Sequence, residues 1–219
     1  MYGVVLSLIV LLVSPSMLQA KESGTPDKAL CSVCVLRGEG EEEKVKAHSE
    51  HDGKVYYFCS KGCKKEFDQD PTAYIQPQLP RPAPQFSVES LTGESVDLAN
   101  YEGKLVLLDF WATWCKPCIE AMPELQRLHD SFSEKGLVVL GVSIDEGKDR
   151  IKKIRKFVDK VGVSYPILSD AMATPAWHTF KVKAIPALFL IDQDGQIVAQ
   201  WLGGADVRSV ENEIKKQLQ

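Results

Sequence analysis

The stretch KLVLLDFWATWCKPC, Lys104 to Cys118, decides how this chain is read. An apolar run carrying one acid, Asp109, suits a strand buried on both faces of a sheet. KPCIEAMPELQRLHDSFSEKG follows with helical spacing and a stop at Gly136. Cys115 therefore falls where strand gives way to helix, with its sulfur at the helix N-terminus. The unpaired N–H groups and positive dipole end there favour thiolate over thiol. Lys116 adds positive charge, and Pro117 suits an early helical position because its missing N–H would have had no partner. Cys118 lies about one turn further on, within reach of a disulfide with Cys115. One activated sulfur and one neighbour able to resolve a mixed disulfide are the parts of an exchange site.

Outward from this block the pattern stays α/β. QFSVESLTGESVDL reads as a hairpin turning at Thr92-Gly93, and LVVLGVSID as a second buried strand. DRIKKIRKFVDKVG spaces Ile151, Ile154, Phe157, Val158 and Val161 as one face of a helix closed by Gly162. ALFLID and QIVAQWLG are strands joined at QDG, and VRSVENEIKKQL is a closing helix. Strands alternating with helices predict a central sheet with helices on both sides, from residue 86 to 219. Upstream, QPQLPRPAPQF carries four prolines between Pro77 and Pro84 and reads as a stiff, extended linker over 77–85.

Residues 21–76 are hydrophilic and hold four of the six cysteines. Cys31-x2-Cys34 and Cys59-x3-Cys63 offer four soft ligands in two knuckles, the arithmetic of a tetrahedral zinc or copper site. Two structural disulfides in a small module with little core are the alternative. The acidic run Glu39 to Glu43, and the segment holding His48 and His51, read as solvated loop. At the very start, an apolar core from Val4 to Val13, then Ser-Pro, then Ala20 before KES, fits a secretory signal over 1–20, with an uncleaved anchor as the alternative. The expected location is periplasmic or secreted. Net charge is −4 with no sustained basic run, which argues against nucleic acid, and no phosphate-binding glycine loop occurs.

Residues 86–219 resemble the thioredoxin fold, in particular the TlpA/ResA-like extracytoplasmic thiol-disulfide oxidoreductases. FSVESLTGESVDLANYEGK, LVLLDFWATWCKPC, IPALFLIDQDGQIV and the added helix and strand between Asp145 and Asp170 carry the likeness. The resemblance implies that Pro186 is a cis-proline facing the reactive pair, with Ile185 before it and Trp114 beside the pair helping to hold substrate. It implies that Asp109 is the buried acid that takes the proton of Cys118. Where the family often has glutamate, three residues past the second cysteine, this chain has Ala121, and Glu120 would point about 100° away. Peroxiredoxins share the fold but need Thr or Ser three residues before the reactive cysteine, where Ala112 stands. KVYYFCSKGCKKEFDQDPTAYI, with LCSVC ahead of it, resembles the YHS/TRASH metal-binding module over 29–76.

The expectation is thus a thioredoxin-like α/β domain preceded by a small Cys-rich α+β module. Its function would be dithiol-disulfide exchange with client proteins, in the reducing direction, fed by an electron donor and needing no cofactor in the redox domain. The second reading makes metal handling primary, through Cys31, Cys34, Cys59 and Cys63, with the redox domain keeping a partner's metal-site cysteines reduced during cytochrome c or copper-site assembly. No membrane span is expected beyond the N-terminal signal.

Overall fold

A computed structural model describes residues 25–37, 41–75, 77–170 and 172–219. The N-terminal signal expected over 1–20 lies outside them. No helix among the described residues is long and apolar enough to cross a membrane.

The N-terminal module is built from two small two-stranded antiparallel sheets and two helices. Strand β1 (Lys28–Leu30) runs into the short helix α1 (Ser32–Val35) and pairs antiparallel with β2 (Glu42–Lys44). Strands β3 (Ala47–His51) and β4 (Lys54–Phe58) form the second sheet, a tight hairpin. Asp52 and Gly53 both take positive φ at its tip, the backbone that a two-residue hairpin matched to strand twist requires. Helix α2 (Lys61–Gln69) follows, capped by Ser60, whose hydroxyl accepts from the Cys63 N–H. Its Phe67 ring packs 4.9 Å from Tyr56 and 5.1 Å from Phe58, over a core of Cys31, Val33, Cys34 and Cys63. The expected solvated loop is therefore partly strand. Glu42 and Glu43 stay exposed on β2, and His48 and His51 lie on β3, because the cross-strand ladder needs only their backbones.

Next come β5 (Arg81–Pro82), β6 (Ser87–Ser90), β7 (Ser95–Asp97), β8 (Leu105–Trp111), α3 (Lys116–Phe132), β9 (Leu137–Ser143) and α4 (Arg150–Val161). The chain closes with β10 (Ile167–Ser169), α5 (Ala176–Thr179), β11 (Ala187–Ile191), β12 (Gln196–Leu202) and α6 (Val207–Gln217). The strands form one sheet in the order β5-β12-β11-β8-β9-β10-β6-β7. Neighbours β8, β9 and β10 are parallel, and β11 is antiparallel to β8. Part of the proline-rich segment is thus not free linker: Arg81 and Pro82 pair with β12 at the sheet edge, where proline's missing donor is tolerated.

Every residue of β8 is buried. Leu105, Leu107 and Trp111 pack beneath α3, α4 and α6 with Met122, Leu128, Ile154 and Ile214. Val106, Leu108 and Phe110 face the other way, against Phe180, Phe189 and Leu140. Burying each such side chain contributes about 1.5–3 kcal/mol, so the middle of the sheet is the stiff platform from which the site projects. Helix α3 ends in a short 3-10 turn closed by Gly136 at φ 104°, one turn later than the α-helical hydrogen bonds stop.

Candidate functional site

Cys115 is the N-cap of α3, and Pro117 occupies its first turn. Cys115 and Cys118 are joined in a disulfide with a Cα–Cα separation of 5.3 Å. The Cys118 N–H donates to the Cys115 sulfur at 3.3 Å. That contact and the positive end of a 17-residue helix stabilise negative charge on Cys115 once the pair is reduced. Cys115 is 5% exposed and Cys118 only 1%, so an incoming sulfur reaches Cys115 first. Beside them Trp114 is 69% exposed, whereas Trp111 is fully buried and stacks 5.5 Å from Phe157. Glu120 is exposed and sits 3.8 Å from Lys116, turned away from the pair as its position on the helix predicts.

Asp109 sits on β8 at the same sheet face as Trp111 and is only 2% exposed. Burial raises its pKa to about 7, against 3.8 for an ordinary aspartate. It lines a small cavity of about 30 Å³ with Ala121, Leu125, Pro186 and Leu188. The Ile185–Pro186 bond is cis, as the resemblance implied, and Pro186 and Asp109 share this cavity. Ile185 is half-buried and packs against both faces' cores. Ala121 looks into the same space, so the carboxyl near the pair is supplied by the strand rather than by the helix.

The other flank of Asp109 depends on a glycine. Gly141 is its cross-strand neighbour on β9. A Cβ there would lie 2.7 Å from Ile167 Cδ1, 3.0 Å from Tyr165 Cε2 and 3.3 Å from Trp111 Nε1. Burial and the nearby Asp109 charge both push the Tyr165 phenol upward. Asp145, two residues past the end of β9, holds the reactive loop. It accepts from the Thr113 N–H at 2.8 Å, the Thr113 hydroxyl at 2.7 Å and the Ser143 hydroxyl at 2.7 Å. Sequence reasoning missed Asp145 and Gly141, because only the register of β8 on β9 shows what they touch. Thr113 spends its hydroxyl on Asp145, and Ala112 stands where a peroxiredoxin carries Thr or Ser.

In the N-terminal module all four predicted ligands come together: the sulfurs of Cys31, Cys34, Cys59 and Cys63 lie within 4.8 Å of one another as free thiols. Cys34 is 3.5 Å from Cys59 and 3.9 Å from Cys63, and Cys59 is 3.8 Å from Cys63. A tetrahedron of roughly 2.3 Å metal–sulfur bonds has edges of about 3.8 Å, so the donor set fits a four-sulfur metal site. Burial works against ionising Cys31, but backbone N–H groups of Cys59, Cys34 and Val33 outweigh it and hold its thiol below the usual value. Burial and the surrounding sulfurs push Cys34 the other way, as expected of thiols crowded together without a cation. His48 is exposed on β3, and neither it nor His51 belongs to the four-sulfur group.

A strand-to-helix CxxC disulfide, a buried acid and a cis-proline on a thioredoxin-like sheet define a thiol-disulfide oxidoreductase. Residues 79–200 match the AhpC/TSA family, and the chain belongs to it, with a YHS domain matched over residues 42–78. The redox region is 35% identical over 139 residues to the thiol-disulfide oxidoreductase ResA of Bacillus thuringiensis (strain Al Hakam), covering 64% of this chain and 78% of that protein. It is 34% identical to the thioredoxin-like protein YneN of Bacillus subtilis (strain 168), over 60% of this chain and 76% of the relative. Among solved structures, the thioredoxin domain of a Bacteroides vulgatus thiol-disulfide oxidoreductase is 26% identical, with a TM-score of 0.57, covering 66% of this chain and all of that one. The YHS match begins at Glu42 and so takes in Cys59 and Cys63, while the fold itself recruits Cys31 and Cys34 from outside it.

Proposed function

We propose that the chain reduces disulfides in client proteins outside the cytoplasm. The Cys115 thiolate attacks one sulfur of a client disulfide, forming a mixed disulfide and releasing a client thiolate. Cys118 passes its proton to Asp109 and attacks Cys115, freeing the second client thiolate. Two electrons leave the dithiol and the Cys115–Cys118 disulfide results. Asp109 is suited to this step because its pKa of about 7 lets it take and return a proton near neutrality. Trp114 and Ile185 would hold the client backbone against Pro186. An electron donor must then return the pair to the dithiol.

The observation that carries the reducing direction is the buried Asp109, which shares a cavity with Pro186, the residue that apolar Ile185 precedes. A redox titration of the full chain, reading the Cys115–Cys118 pair by mass mapping, tests it. A potential near about −270 mV agrees with a reductant, and one near about −120 mV overturns it. In a Cys118→Ser variant, client proteins should accumulate as mixed disulfides on Cys115.

The four-sulfur geometry favours a second role beside the first. Cys31, Cys34, Cys59 and Cys63 would hold zinc or a soft copper ion, which supplies cross-linking to a module with little core of its own. Exchange at Cys115 needs no metal. Protein purified without oxygen and found metal-free, with disulfides among these four cysteines, would remove this role.

A further inference from the structure

Helix α4 is the most basic element of an acidic chain. Arg150, Lys152, Lys153, Arg155, Lys156 and Lys160 are set against one acid, Asp159, in a protein of net charge −4. Arg150 is committed to Glu89 at 2.9 Å, and Arg155 donates to the Leu91 carbonyl. Lys153, Lys156 and Lys160 are exposed, and none has an ion-pair partner among the described residues. Their spacing puts all three on one face, while Asp159 turns toward the face of Lys152 and Arg155. These three lysines, with Phe157 and Thr113, line an open groove of about 450 Å³. Thr113 belongs to the reactive loop, which runs on through exposed Trp114 to Cys115. The Phe157 ring is held from below by buried Trp111, so the groove floor is fixed and its rim is cationic.

The geometry points to the α4 lysine face as a docking surface for an acidic segment of the client protein, next to the cysteine being attacked. This rests on the reading of the chain as an exchanger of disulfides with proteins. The occupant is protein rather than lipid, because whatever enters this groove lies against the loop that carries the nucleophile. Lys153 to Lys160 spans about 10 Å of helix, the reach of three or four residues of extended chain. A short run of Asp and Glu flanking the client cysteine matches that length and charge. Such pairing acts mainly on encounter rate and partner choice, and it is screened by salt.

The test uses three disulfide-closed peptides of one sequence, with four-residue acidic, neutral or basic flanks, and the full chain reduced beforehand. In each reaction two protein thiols become the Cys115–Cys118 disulfide and the peptide disulfide becomes two thiols, followed by stopped-flow tryptophan fluorescence. At about 10 mM salt the acidic peptide should react about tenfold or more faster than the basic one, and at about 1 M salt the three rates should converge. Joint replacement Lys153→Glu, Lys156→Glu and Lys160→Glu should reverse the order, and the matching Lys→Gln set should level it. Lys104→Glu, at the opposite end of β8, should keep it. Equal rates at low salt, or an order that survives the triple reversal, overturn the docking surface while leaving disulfide exchange standing. Failure to react with any of the three peptides takes down the exchange reading as well. Equal peptide rates together with binding to phosphatidylserine vesicles would reassign the face to a membrane surface.

Discussion

Cys31–Cys34 and Cys115–Cys118 have the same two-residue gap, and both begin at the N-terminus of a helix. In the first, the helix is four residues long and its two sulfurs turn inward to meet a second knuckle at Cys59 and Cys63. In the second, the helix is 17 residues long, sits on the stiffest strand of the sheet, and leaves the two sulfurs with only each other to bond. What separates them is the number of partners and the support beneath. Four thiols converging on a point repel one another as anions and call for a cation. A pair at the tip of a long helix, beside a buried acid, is poised to trade electrons. Spacing alone names neither task.

The sharpest way to break this contrast is to exchange the lesions. Cys115→Ser should abolish turnover with a model disulfide while leaving bound metal at one equivalent, and Cys59→Ser should do the reverse. Loss of both properties in either variant would mean that the two regions work as one unit. Chelation comes next. Structural zinc sites carry about 10–16 kcal/mol of binding energy that doubles as folding energy. Hydrogen exchange should therefore show metal-free residues 41–75 losing protection while β8 and β9 keep theirs.

Asp109→Asn sharpens the redox half. Release of client from the mixed disulfide should slow by about a hundredfold at neutral pH, and the inflection near pH 7 should vanish. Stability should move the opposite way. Asp109 has a folded pKa above its unfolded value, so the native state gains from holding the proton and loses that gain as pH rises from about 4 through about 7. The Asn variant should thus be more stable than the parent at pH 8, by up to about 4 kcal/mol, and indistinguishable near pH 4 in urea titrations. Thr113→Val should have the smallest effect. It removes one hydrogen bond to Asp145, costing about 1 kcal/mol, and should loosen the loop enough to raise KM more than it lowers kcat.

Much of this arrangement was legible in the residues themselves. The unbroken apolar run Leu105–Trp111 announced a central strand, and Cys115 and Pro117 announced the helix that starts behind it. The two upstream knuckles announced four metal ligands, with structural disulfides as the lesser alternative, and their sulfurs lie unbonded at near-tetrahedral spacing. Short elements stayed hidden. The strands at Arg81–Pro82 and Glu42–Lys44 have no apolar pattern and exist because a neighbour offers an edge. The supports of Asp109 and of the reactive loop were hidden for a different reason. Asp145 is 32 residues from Thr113, and no local signal links them.

The bare backbone at Gly141 has a consequence for how the region can vary. Ile167, Tyr165 and Trp111 crowd the spot where its first side-chain carbon would stand. A methyl group added there would first push aside the end of the Ile167 side chain and then crowd the Tyr165 and Trp111 rings by a few tenths of an ångström. The room at position 141 is thus set jointly by residues 167, 165 and 111, so a graft of this redox centre onto another sheet has to carry that tight spot along with the cysteines.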